Sequence, residues 1–142
     1  MEHAKYAFPR FVLGIAALIL VGACAQAPTK SSGRVLSGDE IRELLTYNSE
    51  ETTTADGGIW RAYHPNAETE IGTYTHPDGT TIGNRSRKIY RDDSVCAEWA
   101  LNDWGTRCYE LRQHGDKITF RNVNVASEHG EIRVLPGNPF DF

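Results

Sequence analysis

The chain has 142 residues, 39% of them hydrophobic and 24% charged, with 15 basic against 19 acidic side chains and a net charge of −4. That length supports one domain and excludes two, and the apolar share suffices for a small core, which argues against wholesale disorder. The basic residues form no cluster, so nucleic acid is excluded as a partner on electrostatic grounds, and three cysteines make no zinc framework.

The first legible element is an address. Lys5 and Arg10 precede an uncharged apolar run at 11–23, FVLGIAALILVGA. A helix of that length spans roughly 20 Å, short of the ~30 Å hydrocarbon core of a bilayer. A basic start, a short apolar run and small residues at its end describe a secretory signal peptide. The run closes on Val21-Gly22-Ala23-Cys24, which resembles the lipobox of bacterial lipoproteins. That resemblance implies cleavage before Cys24, a diacylglyceryl group on its thiol and an acyl chain such as palmitate on the new amino terminus. Several chains are needed because each buried CH₂ contributes ~0.8 kcal/mol and one chain anchors only marginally.

The expected division is a signal peptide at 1–23, a lipidated Cys24 with a flexible polar tether at 24–34, and a single β-rich domain at 35–142. Ala25 follows the cysteine where Asp would resemble an inner-membrane retention signal. The expected location is therefore the periplasmic face of the outer membrane, with the inner membrane or the soluble periplasm as alternatives.

One helix is legible in the domain. Ser37 is a fit N-cap and Glu40, three residues on, completes a capping box. Ile41, Leu44 and Leu45 form an apolar stripe, with Leu36 as a hydrophobic staple. Asp39 and Glu40 sit where the helix dipole favours negative charge, and with Glu43 they read as a solvated face. About three turns are expected, ending near Tyr47-Asn48.

Beyond Asn48 the pattern changes to short segments split by turn signals: Asp56-Gly57-Gly58, His64-Pro65-Asn66, Pro77-Asp78-Gly79, Arg91-Asp92-Asp93, His114-Gly115-Asp116 and His129-Gly130. Candidate strands lie at 50–54, 59–64, 70–75, 80–82, 88–90, 94–99, 107–113, 117–123 and 131–135. Several alternate: Val95, Ala97 and Trp99 share a face, as do Tyr109 with Leu111, Ile118 with Phe120, and Ile132 with Val134. Short connections imply antiparallel neighbours, and closure would remove the exposed edges. The expected fold is mainly β with one short N-terminal helix, a small antiparallel β-barrel or strongly curved sheet carrying one disulfide.

Export to an oxidising compartment permits Cys96 and Cys108 to pair. The loop so closed, of about 13 residues, corresponds to ~3 kcal/mol in the chain-entropy model. A reactive or metal-binding pair is the alternative, but neither cysteine belongs to a C-x-x-C motif. Pairing Cys96 opposite Cys108 sets Trp99 opposite Gly105, an aromatic over a cross-strand glycine, with Leu101-Asn102-Asp103 at the hairpin tip.

From Leu36 onward the landmarks resemble a group of small secreted proteins and lipoproteins of Gram-negative bacteria, of unknown function. They are Leu44-Leu45, the aromatic segment from Trp60 to Tyr63, Asp78-Gly79, Cys96-Ala97-Glu98-Trp99, Cys108-Tyr109 and Gly137-Asn138-Pro139, a C-x-x-W … C-Y … G-N-P pattern. The resemblance implies an envelope β-domain and carries no catalytic residues.

For chemistry the sequence offers little. His64, His114 and His129 fall in expected turns and His76 precedes Pro77. They could meet at one barrel mouth, but their spacings match no ligand pattern and turn histidines are usually solvated, so no metal or cofactor is expected. No G-x-S-x-G elbow and no dinucleotide or phosphate glycine loop is present. Rings are the informative class: Trp60, Tyr63, Tyr74, Tyr90, Trp99, Trp104, Tyr109 and Phe120 either fill a core or line a concave apolar site. Trp104, beside the hairpin tip, is the expected exposed ring, and Asn102, Asp103 and Arg107 could supply polar contacts around it.

The function expected is that of a lipid-anchored, non-catalytic envelope protein. Its β-domain would bind a periplasmic protein or small apolar ligand, as inhibitors built on small disulfide-stapled β-domains do. The alternatives are a cell-wall- or lipid-acting enzyme and a structural subunit of an envelope complex.

Overall fold

The structure is a computed structural model and describes residues 33–101 and 103–142. Cys24, the signal peptide and Asn102 lie outside the described residues, as does most of the tether. After a two-residue strand β1 (Arg34–Val35) come helix α1 (Gly38–Leu45) and eight strands: β2 (Asn48–Thr53), β3 (Ile59–Asn66), β4 (Thr69–Thr75), β5 (Thr81–Arg91), β6 (Ser94–Trp99), β7 (Thr106–His114), β8 (Lys117–Asn122) and β9 (His129–Pro136). Each pairs antiparallel with the next, and β9 returns to β2 with Glu50 opposite Val134. The result is a closed eight-stranded up-and-down barrel, with β1 added to the far end of β7. Among the described residues no helix is long and apolar enough to cross a membrane.

Helix α1 closes one end. Ser37 Oγ accepts from the Glu40 N–H and Glu40 accepts from the Ser37 N–H, the reciprocal cap expected. The helix is shorter than its pattern suggested, because it must only cover the barrel end before Tyr47, in a left-handed conformation, turns the chain into β2. Gly38 is required where α1 starts: its N–H donates to Asp92 O, and a Cβ there would lie 2.0 Å from Arg91 O. Leu36, Ile41 and Leu45 pack onto Val95, Leu111, Ile118 and Phe120 to form the core.

Three expectations about local structure are corrected. The segments 80–82 and 88–90 are the ends of one strand, β5, whose middle is polar on both faces and so showed no hydrophobic signal. His64-Pro65-Asn66 is not a turn. β3 runs through it with a register shift between Tyr63 and Asn66, an irregularity that spares the ladder the hydrogen bond Pro65 cannot donate. The reversal follows at Asn66, whose side chain accepts from the N–H groups of Glu68 and Thr69. His129-Gly130 likewise opens β9 instead of forming a turn.

Cys96 and Cys108 are register partners on β6 and β7 and are joined by the disulfide. Trp99 N–H does donate to Gly105 O, but nothing lies within 4 Å of a Cβ placed at Gly105, so the ring does not cover it. Gly105 is there for its positive φ of 59°. The aromatic-over-glycine device occurs elsewhere: a Cβ at Gly72 would meet the Trp60 ring at 2.6 Å, and one at Gly130 the Phe120 ring at 3.0 Å.

Candidate functional site

The barrel interior is not filled. Between the α1 end and the loops at the opposite end lies a chamber of about 690 Å³. Eight strands make the barrel size whose interior is either packed by side chains or holds one small ligand, and this volume lies within the usual range of ligand sites.

The chamber has two unlike walls. Strands β6 to β9 turn Val95, Ala97, Leu111, Phe120 and Ile132 inward, together with Tyr109. Strands β2 to β5 turn inward a polar set: Glu50 and Thr52, then His64, Glu70, Ser86 and Lys88, all buried. The polar set is joined by hydrogen bonds. The Trp60 indole N–H lies 3.1 Å from Oε1 of Glu50 and 3.1 Å from Oε1 of Glu70, bridging the two carboxylates. Ser86 Oγ donates to Glu70 Oε2 at 2.9 Å, and the Lys88 ammonium stands 3.5 Å from that oxygen. His64 Nε2 is 3.5 Å from Glu50 Oε2, an ion-pair distance beyond good hydrogen-bond length. Burial alone would raise the Glu50 carboxyl, but the adjacent His64 ring, the Lys88 charge and the Trp60 N–H outweigh it and hold the group down at about 2. Glu50 is therefore an anion throughout the neutral range.

Above this layer three indoles meet edge to face. Ring centroids are 5.2 Å apart for Trp60 and Trp99, 5.1 Å for Trp99 and Trp104, and 5.8 Å for Trp60 and Trp104. Trp104 is thus partly buried in an aromatic cluster at the chamber rim, not exposed as its place beside the hairpin tip suggested. Beside it the Trp104 N–H donates to Leu101 O, and Asn84 Oδ1 receives the Leu101 N–H. Arg107 lies 5.8 Å from the Trp104 ring and is paired with Glu128 at 2.9 Å. Glu128 also accepts from Tyr109 and Asn122, and burial first, then the Glu128 charge, keeps the Tyr109 hydroxyl a proton donor. Asp103 is exposed at the same rim.

No family model, curated protein or solved structure matches this chain. Its site must be read from its own residues.

The four histidines of the described residues do not converge. His76 and His129 line the rim, His114 is at the opposite end bonded to Thr119, and His64 is inside. Glu50, Glu70, Ser86 and Lys88 carried no signal in the sequence, where polar residues alternate with polar residues. A register that placed Glu70 opposite Ser86 would have shown them as one inward cluster. Besides the ring nitrogens of His64, two buried side-chain donors have no hydrogen-bond partner among the described residues: Trp99 Nε1 and Asn84 Nδ2. A buried N–H left unpaired costs ~1–3 kcal/mol, so each is a place where an acceptor would be favoured.

Proposed function

We propose that this protein is an envelope binding protein, lipid-anchored through Cys24, whose barrel holds one small amphipathic molecule in its interior. The observation that carries the reading is the chamber of about 690 Å³ lined by Trp60, Trp99 and Trp104, with the Trp99 indole N–H unpaired among the described residues. A flat apolar body fits against the indoles and the β6–β9 wall, where burial of apolar area stabilises it by roughly 25 cal/mol per Å². Its polar end carries a hydrogen-bond acceptor for the Trp99 indole N–H, which lines the chamber, and approaches the layer formed by Glu50, Glu70 and Lys88. The anchoring half of the proposal rests on the basic stretch, the run at 11–23 and the Val21-Gly22-Ala23-Cys24 sequence. It places the barrel on the periplasmic face of the outer membrane.

The test is extraction of small molecules from the protein purified from its own envelope, beside an Ala97→Trp variant that fills the chamber. Ala97 is buried and lines the chamber, so a large ring there occupies ligand space. A compound recovered in near-stoichiometric amount from the wild type and absent from a folded Ala97→Trp supports the reading. Equal recovery from both, or none from either, contradicts it.

A further inference from the structure

We propose that Glu50, His64 and Glu70 form a binding site for a divalent transition cation of the Zn²⁺ type at the base of the barrel chamber. The three residues come from adjacent strands β2, β3 and β4, all are buried, and one ligand atom from each lies within 4.8 Å of the others. The observation that points to a cation is His64. Its ring is 1% exposed, yet neither Nδ1 nor Nε2 has a hydrogen-bond partner among the described residues. A buried imidazole whose Nδ1 is unpartnered and whose Nε2 meets only Glu50, at 3.5 Å, is costly, whereas coordination satisfies one nitrogen fully.

The spacing agrees. A tetrahedral centre with bonds of ~2.0–2.1 Å separates its ligand atoms by roughly 3.3 Å. His64 Nε2 and Glu50 Oε2 stand 3.5 Å apart, too long for a good hydrogen bond and close to the spacing of two ligands on one ion. Orientation of the carboxylates is also provided: the Trp60 N–H holds one oxygen of each glutamate, and Ser86 holds the other oxygen of Glu70, the supporting contacts that metal-binding carboxylates need. One imidazole with two carboxylates suits Zn²⁺ and its first-row neighbours better than the all-oxygen shells of Ca²⁺ or Mg²⁺.

Lys88 sets the charge of the site. Its ammonium, 3.5 Å from Glu70 Oε2, balances one of the two carboxylates. With a dication bound, the group carries one excess positive charge, which an anionic oxygen entering from the chamber, hydroxide included, would neutralise. The site does not depend on an organic ligand occupying the chamber.

The experiment is titration of the purified, untagged, chelator-stripped protein with Co²⁺ and then Zn²⁺. One equivalent of Co²⁺ should give the strong visible bands of a low-coordinate centre, which Zn²⁺ should abolish. His64→Gln should weaken binding at least ~100-fold, as loss of a first ligand exceeds the effect of losing a supporting contact. Lys88→Gln removes a competing charge and should tighten binding by about tenfold, a sign that a purely structural ion-pair network would not produce. Should His64→Gln fail to fold, the ring ¹⁵N signals of His64 in the wild-type protein replace it and should shift on adding one equivalent of Zn²⁺. Absence of binding, Co²⁺ bands unaffected by His64→Gln, weaker binding in Lys88→Gln, or Zn²⁺ shifts confined to other histidines would each overturn the site.

Discussion

The two halves of the barrel wall obey different rules. Strands β6 to β9 face the interior with Val95, Leu111, Ile118, Phe120, Ile132 and Val134, and this half joins α1 in the hydrophobic core. Strands β2 to β5 face the same interior with Glu50, His64, Glu70, Ser86 and Lys88, held by a shared indole donor and a few charged contacts. Burying apolar side chains stabilises a fold, whereas buried charge pairs recover little more than their own desolvation cost. A small domain that devotes half its interior to such a network gains little stability from it. The difference therefore separates a half that holds the barrel together from a half that gives it chemistry.

The largest effect should come from the apolar half. Leu111 is almost fully buried between α1 and the sheet, and Leu111→Ala should cost ~2–5 kcal/mol, of order 10 °C or more in Tm, by thermal or denaturant unfolding. Ser86→Ala, across the barrel, should cost only ~1–2 kcal/mol, since it removes one hydrogen bond to Glu70 and leaves Lys88 and Trp60 in place. Equal losses would erase the distinction between the halves.

The second effect concerns the staple inside the apolar half. The Cys96–Cys108 bond links β6 to β7 at the base of the hairpin that carries Trp104. Replacing both cysteines by Ser should cost about 3 kcal/mol in the chain-entropy picture, read from the denaturant midpoint. A variant as stable as the wild type would remove the staple from the account.

The smallest effect is at the rim. Asp56 accepts hydrogen bonds from Thr54, then Tyr74, and these hold its carboxyl down from 3.8 to about 2. Its folded pKa is depressed, so the stability it contributes is present above its unfolded pKa and is lost as pH falls from about 4 towards 2. Its carboxyl ¹³C shift should titrate near 2, and Asp56→Asn should blunt only the acid end of the stability profile. Titration near 4 would show that the Thr54 and Tyr74 bonds do not hold.

The same contrast explains what could be read in the sequence. Alternation identified the inward residues of β6, β7, β8 and β9, since a period-two apolar signal is what a half-buried strand of ordinary kind produces. The capping box at Ser37 and the Asp-Gly and Gly-Asp turns were legible because their side chains act locally. In β2 to β5 the inward face is itself polar, so Glu50, Glu70, Ser86 and Lys88 looked like surface residues and β5 looked like two fragments. His64 was misplaced because Pro65 signals a break that the strand absorbs as an irregularity. Trp104 was expected to be exposed because nothing local in the sequence signals its packing against Trp60 and Trp99.

The central claim, that the chamber between the two walls is a binding site, is tested most directly through the three tryptophan side chains. Their indole N–H signals should be followed by NMR while the protein is titrated with N-phenyl-1-naphthylamine, an apolar aromatic amine. The account predicts that Trp99 and Trp60 shift strongly and saturate at one equivalent, with Trp104 following, while amides around exposed Val123 stay in place. Unshifted indoles at saturating probe, or shifts confined to the exposed residues, would contradict it.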